Sequence, residues 1–427
     1  MYLFGLSTYF RLKRNLRRPL EELKREQWES FKALVYYAYY NVPFYRKLYD
    51  QVGFHPQELK SRDDIQKVPL IRKALFQDTE LQDCLALGHD ADKLRKKKTS
   101  GSSGSPLEIF VTPDDRIYRT LIHLRILFHN GMTLRDQMAH ISDDRHVPDF
   151  RYTFQNLGFL PKEFVYAADS PEDQLANLKK IDPAVIYSYS SSMVLLADEI
   201  KKLGSCPVSP RLVFTTGELL NSADQDLINE QFGVQLRDIY GCVEMGDIAW
   251  QCSEVAGYHV SIDSFLFEAA QDGQPVESGE EGRLVITNLH SKAMPFIRYE
   301  VGDVVTAPEE DLCSCGCTFP RMKMLQGRAD DWLYRPDRTK VSPLIFVVAS
   351  IRGVRQYRMI QKAFDHLIVE ILPGKYFDEA TLPEVSKHVT EVMGDGVKIE
   401  TKAVETIPQQ AGKMRRVISE IPKDNKL

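Results

Sequence analysis

Between Glu21 and Tyr49 apolar side chains recur at three- and four-residue intervals, and Trp28, Phe31, Leu34, Val35, Ala38 and Tyr39 fall on one face. This period predicts an amphipathic helix whose aromatics lie in a core. Further on the pattern changes. From Leu107 to about Val305, short apolar runs such as Val185–Tyr187, Leu212–Thr215 and Arg283–Thr287 read as strands. They alternate with helical stretches such as Met193–Leu203 and Ala223–Phe232. That alternation predicts an α/β fold. Gly327–Asp331 is a charged, turn-rich break, and beyond it Phe364–Leu372, Leu382–Met393 and Val397–Val404 predict a strand–helix–strand module. A domain boundary is therefore expected near Asp330, dividing residues 1–329 from 330–427. Near the start of the smaller domain, a Pro336–Asp337 turn between Trp332–Arg335 and Thr339–Val341 predicts a hairpin.

Composition narrows the classes. The 427 residues are 43% hydrophobic and 27% charged, which suits a folded chain of more than one domain. A formal net charge of −5 gives no global case for a nucleic-acid partner. Met1–Phe10 is apolar but too short to span a bilayer, and the basic Arg11–Arg18 that follows has no small-residue cleavage site. The first helix is expected to pack on the main body, with no transmembrane or secretory segment. Seven cysteines, three of them crowded at 313, 315 and 317, favour a reducing, cytoplasmic setting and metal chemistry over a disulfide framework.

The candidate chemistry begins at Lys98-Thr99-Ser100-Gly101-Ser102-Ser103-Gly104-Ser105-Pro106, ahead of the β-rich Leu107–Val111. Glycines let the backbone approach a ligand, while N–H groups and hydroxyls point at anionic oxygens. The spacing is not that of a P-loop NTPase, and a Gly/Ser-rich segment taken alone is more often a flexible connector. Downstream, Phe214-Thr215-Thr216-Gly217-Glu218 and Asp238-Ile239-Tyr240-Gly241-Cys242-Val243-Glu244 put polar groups at the ends of apolar strands, where α/β sheets bind ligands. Phe296–Asp303 puts Asp303 after a strand and a glycine. Gly327-Arg328-Ala329-Asp330-Asp331 marks the boundary, and Gly412-Lys413-Met414-Arg415-Arg416 lies in a near-terminal loop.

In this order and spacing the segments resemble the acyl-adenylate-forming (AMP-binding) superfamily over essentially the whole chain. The length, Tyr40–Tyr45, Lys67–Leu70 and the cysteine pattern resemble its phenylacetate–CoA ligase-like branch. The resemblance implies a large multi-sheet α/β N-terminal domain and a small mobile α+β C-terminal domain. It implies activation of a small organic acid with ATP as acyl-AMP, releasing pyrophosphate, and then transfer to a thiol, that of coenzyme A. By resemblance, Thr99, Ser100, Gly101, Ser102 and Ser103 would hold the β- and γ-phosphates. Glu244 would anchor Mg²⁺, a hard ion that prefers carboxylate oxygen. Gly217, Glu218, Asp238, Tyr240 and Gly241 would line the nucleotide, with Glu218 beside the adenine and Tyr240 against its ring. Asp303 would accept from both ribose hydroxyls, and Arg328 would reach the ribose or phosphate side. Asp330 would be the hinge. Lys413 would bridge the attacking carboxylate and the phosphate, a point charge on a flexible stem.

Two departures matter. Relatives commonly carry Lys where Ser105 stands, so one phosphate cation is missing. Relatives also commonly run into an Asn-x-Phe-Pro-like segment after the hinge, where this chain has Tyr334–Pro343, and that loop helps present the thiol-accepting face. An acceptor other than coenzyme A (a carrier protein, an amine, or a hydroxyl taking the adenylyl group) therefore stays open, as does a nucleotide-binding scaffold without catalysis.

Cys313-Ser314-Cys315-Gly316-Cys317 has the sulfur density of a soft-metal site, and Cys252 with His259 supplies a second knuckle. As in parts of this branch, Cys252, His259, Cys313 and Cys315 would close a structural tetrahedral zinc site, with Cys317 to spare; unliganded thiols are the alternative. Tyr187–Ser192 reads either as an acid-pocket wall or as strand-end packing with the start of a helix. The charge of Ala139–Phe150, with His140, Asp143, Asp144, Arg145 and His146, points to a polar acid. The expected partners are small molecules, and homodimer formation stays open.

Overall fold

The computed structural model describes residues 2–99, 107–142, 153–323, 325–328, 332–341, 348, 351, 353–374, 377–407, 409–410, 413–414 and 416–421. The chain forms two compact units, each built from two segments: Met1–Gly131 with Ile239–Leu325, and Met132–Asp238 with Gln326–Leu427.

The first unit opens with α1 (Tyr2–Asn15), α2 (Leu20–Asn41) and α3 (Pro43–Val52). The single helix expected over Glu21–Tyr49 is thus two. Val42 precedes Pro43, is pushed to φ −122° and ψ 109°, and ends α2, while Pro43 starts α3 where its missing N–H costs nothing. Of the expected apolar face Phe31, Leu34, Val35 and Ala38 are buried, while Trp28 and Tyr39 are half-buried at its edge. A hairpin of β1 (Arg95–Lys98) and β2 (Glu108–Val111) follows, and then α4 (Pro113–His129), capped by Thr112 Oγ1 accepting from the Asp115 N–H at 3.0 Å.

The second unit takes over with β3 (Met138–Ser142), β4 (Lys162–Tyr166), α5 (Pro171–Ile181), β5 (Val185–Tyr189), α6 (Ser190–Leu203), β6 (Leu212–Thr216) and α7 (Ser222–Phe232). The strands are parallel in the order β6-β5-β3-β4. One sheet face, including Ala139, Ile141, Val165, Ile186 and Val213, packs on Leu175, Leu178, Met193, Leu196, Ala197 and Ile228. This is the period-2 and period-3.6 match the sequence displays.

The chain returns to the first unit within β7 (Arg237–Cys242). It continues through β8 (Gly246–Trp250), β9 (Tyr258–Val260), β10 (Phe265–Gln271), β11 (Glu281–Asn288), β12 (Tyr299–Thr306) and β13 (Arg321–Met322). These pair antiparallel as β7-β8-β9-β13 and β10-β11-β12. Asp303 lies inside β12 and not beyond a strand. The strand starts late because Arg298 sits at φ +46°, held there by hydrogen bonds to Glu268, Gln66 and the Val68 carbonyl.

After a strand at Leu325–Arg328, the tail of the second unit forms β14 (Leu333–Tyr334), β15 (Lys340–Val341), β16 (Val354–Ala363), β17 (His366–Pro373), α8 (Thr381–Met393), β18 (Lys398–Ala403), β19 (Gln409–Gln410), β20 (Lys413–Met414) and β21 (Val417–Ser419). The expected hairpin is β14-β15, with Leu333 opposite Val341. The larger sheet is ordered β18-β17-β16-β21 and encloses a core of Tyr357, Met359, Leu367, Val369, Ile371, Val385 and Val389. The strand–helix–strand module is present as β17, α8 and β18. Among the described residues no helix is long and apolar enough to cross a membrane.

Candidate functional site

In the first unit Tyr240 and Glu244, from the Asp238–Glu244 motif, are held by groups that the sequence does not pair with them. β7 bulges between Tyr240 and Gly241, and a side chain at Gly241 would put its Cβ 2.4 Å from the Gly246 carbonyl oxygen. Only glycine fits there. The Tyr240 hydroxyl donates to Asp303 Oδ2 across from β12. Glu244, 8% exposed, accepts from the Tyr299 hydroxyl at 3.2 Å. The turn carrying Glu244 is clamped from α4, where Arg119 donates to the Val243 carbonyl at 2.9 Å and the Glu244 carbonyl at 2.6 Å. His123, one turn along, meets Asp247 at 2.8 Å.

The surroundings are cationic. Burial, with Arg119 and Arg95 acting in the same direction, pushes the Lys97 ammonium down to about 8. The β1-β2 hairpin bearing Lys97 is closed by paired contacts at the loop mouth: the Thr99 N–H to the Leu107 carbonyl at 3.0 Å, and the Leu107 N–H to Thr99 Oγ1 at 2.8 Å. Thr99 therefore anchors the expected phosphate loop, whose Ser100, Gly101, Ser102 and Ser103 lie outside the described residues.

In the second unit Gly217 follows β6 at φ +80°, and Glu218 turns back toward α6. Its carboxylate accepts from the Ser191 N–H at 2.8 Å, and Ser190 Oγ donates to its carbonyl at 3.1 Å. A carboxylate at a helix N-terminus is favoured by the dipole. Ser190 and Ser191 are thus committed to starting α6 and holding Glu218, which is the strand-end reading of Tyr187–Ser192. Asp238 Oδ1 accepts from Thr215 Oγ1 at 2.8 Å, linking the two strand-end motifs. Arg328 closes its short strand, and Lys413 sits in β20, whose hairpin partner is Gln410. Lys413 thus lies in a strand and not a loop. The hinge candidate Asp330 and the charged stretch 143–150 lie outside the described residues.

Arg119 and Tyr299, which hold Glu244 and its turn, are the candidate-site residues that the motifs do not reveal. A signal existed for Arg119. On α4 it shares with Tyr118, Ile122, Arg125 and Ile126 the stripe that becomes buried, and a cation on such a stripe requires partners.

The second cluster is Cys252, His259, Cys313 and Cys315, whose donor atoms all lie within 4.8 Å of one another. The Cys252 and Cys313 sulfurs are 3.7 Å apart, and Cys315 Sγ is 3.3 Å from His259 Nε2. Tetrahedral zinc with Zn–S near 2.3 Å requires sulfurs about 3.8 Å apart and a nitrogen slightly closer. The donor set fits. His259 is fully buried, and its Nδ1 lies 3.1 Å from the Phe319 carbonyl. That carbonyl can only accept, so Nδ1 carries the proton and Nε2 offers its lone pair to the cluster. Hydrogen bonding to Cys315, and then to His259, holds the Cys252 thiol far below its ordinary range. The Cys317 N–H reaches Cys315 Sγ at 3.4 Å, so Cys317 contributes its backbone to this group of four.

Known proteins resemble this chain in sequence and in fold. Residues 333–420 match the CapK C-terminal domain family. The chain is 28% identical over 370 residues to a phenylacetate-coenzyme A ligase of Thermus thermophilus, covering 83% of this chain and 78% of that one. It is 27% identical over 433 residues to one of Aromatoleum evansii, covering 95% and 96%. Among solved structures, 2-hydroxyisobutyryl-CoA ligase in the postadenylation state superposes with a TM-score of 0.77 at 21% identity, covering 97% of this chain and 92% of that chain, and so shares the fold.

Proposed function

Since the chain belongs to the phenylacetate–CoA ligase-like branch of the acyl-adenylate-forming superfamily, we propose that it activates a small carboxylic acid with ATP and passes the acyl group to the thiol of coenzyme A. The observation that carries this reading is the pairing inside the first unit. Asp303 is bound to Tyr240, and Glu244 is held at its carboxylate by Tyr299 and at its carbonyl by Arg119, which also holds the Val243 carbonyl. A mere turn carboxylate has no need of a buried arginine clamp.

In the first half-reaction a carboxylate oxygen of the acid attacks the α-phosphorus of ATP. The new bond is the mixed anhydride, the bond to the β-phosphate oxygen breaks, and pyrophosphate leaves with the electron pair. In the second, the sulfur of coenzyme A attacks the acyl carbon, its proton is lost to solvent, and AMP departs. Asp303 accepts from the ribose hydroxyls, and Tyr240, fixed by Asp303, packs on the adenine. By the resemblance, Gly217, Glu218, Asp238 and Gly241 are further nucleotide-binding residues, and Arg328 serves the ribose or phosphate side. Thr99 with the loop after it holds the outer phosphates. Lys413 stabilises the charge that builds on the α-phosphate during attack. Glu244, a hard oxygen donor, would hold Mg²⁺, which supplies charge neutralisation on the leaving pyrophosphate when bound.

The same reading makes 330–427 a small mobile domain that turns at Asp330 between half-reactions. Its separate core around Val369 and Val385 supports this. We assign the Cys252, His259, Cys313 and Cys315 group to structural zinc, since four donors leave no coordination position for chemistry.

An acid-dependent pyrophosphate-release screen, with and without coenzyme A, tests the function. Release with no acid in a broad aromatic, aliphatic and hydroxy-acid panel would refute it. Lys413→Ala should slow acyl-AMP formation by orders of magnitude, yet consume supplied acyl-AMP at close to the normal rate. Equal damage to both half-reactions would refute the role given to Lys413.

A further inference from the structure

Three residues beyond Lys413, Arg416 ties together parts of the second unit that are far apart in sequence. Its carbonyl accepts from the Met359 N–H at 2.8 Å, just before β21 runs parallel to β16. Its guanidinium lies 5.8 Å from the ring centre of Tyr357, itself 3% exposed. The backbone of Arg416 is thus fastened to the small core. The side chain leaves that core, and Nη1 meets Asp224 Oδ2 at 2.5 Å.

Asp224 is 2% exposed and sits in the first turn of α7, where its N–H donates to the Asn221 cap at 2.8 Å. α7 is the helix entered directly from Gly217 and Glu218. Asp224 thus sits seven residues beyond Gly217, on the helix that follows the loop given the adenine-side role above.

We propose that Arg416 is a positioning residue: by pairing with Asp224 it seats the terminal hairpin so that Lys413 starts from a fixed base during acyl-AMP formation. The inference rests on the role given to Lys413 above. Lysine has a long, freely rotating stem, so its reach is directed only if its strand is anchored. Lys413 and Arg416 are three positions apart in the chain, so their Cα atoms cannot lie more than about 11 Å apart. The chemistry of the anchor also suits a part that must detach. A buried ion pair gains little net free energy after desolvation, yet enforces one geometry, whereas an apolar seal of the same size would resist opening.

The test uses full-length protein carrying Asp224→Asn, Arg416→Met, Arg416→Lys or the Asp224→Asn/Arg416→Met pair. The acid is the one selected by the pyrophosphate screen, together with its chemically made adenylate. Asp224→Asn and Arg416→Met should each lower the rate of acyl-AMP formation by about tenfold to a hundredfold, as for misplacement near 1 Å. Each should consume supplied acyl-AMP within about twofold of wild type. Arg416→Lys should recover part of the loss, and the double variant should be no worse than the poorer single one. Hydrogen exchange over residues 409–414 reads the anchor without any acid, and should rise in Asp224→Asn and Arg416→Met.

Unchanged exchange in both variants would overturn the inference, as would wild-type acyl-AMP formation by both while Lys413→Ala is inactive. If Lys413→Ala formed acyl-AMP normally, the role of Lys413 would fall first, and this inference with it.

Discussion

Arg119 gives the sharpest structural test, because one side chain supports the turn that presents Glu244. It is 9% exposed and makes two charge-assisted hydrogen bonds, to the buried Glu244 carbonyl at 2.6 Å and the partly buried Val243 carbonyl at 2.9 Å. Substituting methionine keeps most of the stem but strands both carbonyls. A bond from a charged donor to a buried acceptor contributes about 2–3 kcal/mol, and the more exposed one about 1 kcal/mol. Relief from burying the guanidinium, whose pKa burial has lowered, offsets part of this. A net loss of about 3 kcal/mol is expected, about 150-fold in the folded-to-unfolded ratio. Urea titration of Arg119→Met should show a lower midpoint with an unchanged slope. The surviving folded protein should also form acyl-AMP slowly and need more magnesium, because the turn has lost its clamp. A stability change below about 0.5 kcal/mol together with normal magnesium dependence would refute the reasoning, since that is the range of an ordinary surface substitution.

Three further outcomes follow from the geometry. Metal-replete protein should hold about one zinc per chain, and chelation or Cys313→Ser should lower the melting temperature more than it alters nucleotide affinity; elemental analysis finding no zinc would remove that assignment. Asp303→Ala should raise the KM for ATP and weaken AMP binding with a smaller effect on kcat, and unchanged values would refute the ribose contact. Burial raises the Asp198 carboxyl to about 6, above the unfolded value near 3.9. The native state therefore binds its proton more tightly, and the stabilisation is full below pH 4 and lost as pH rises through 6. Relative to Asp198→Asn, wild-type stability should fall between pH 4 and 6; parallel pH profiles of the two proteins would show otherwise.

The repeat of apolar positions was enough to determine the kinds of element and their order. α6, α7, β5, β6, β17 and α8 sit where periodicity puts them, because a helix or strand buries one stripe and that stripe is written locally. The nearest-neighbour chemistry at Pro43 is also local, and it puts the break at Val42 inside the periodic stretch. Motif order pointed to Glu244 and Asp303, and cysteine density with His259 pointed to the four-residue cluster. What fastens these residues was not local. Tyr240 meets Asp303 63 positions away, and Arg119 reaches Glu244 125 positions away. No period or short motif encodes such pairs; they exist because strands of two different sheets meet through their side chains and a helix packs on the turn after β7. The same holds for Asp303 lying inside β12, because Val304–Thr306 beyond it pair with Glu281–Arg283 of β11. Sequence alone determined which groups could bind a nucleotide and a metal, because that depends on the chemistry of side chains. Tertiary structure alone decided which of them are held still, because immobilising a buried polar group takes partners that only the folded chain brings within hydrogen-bonding distance.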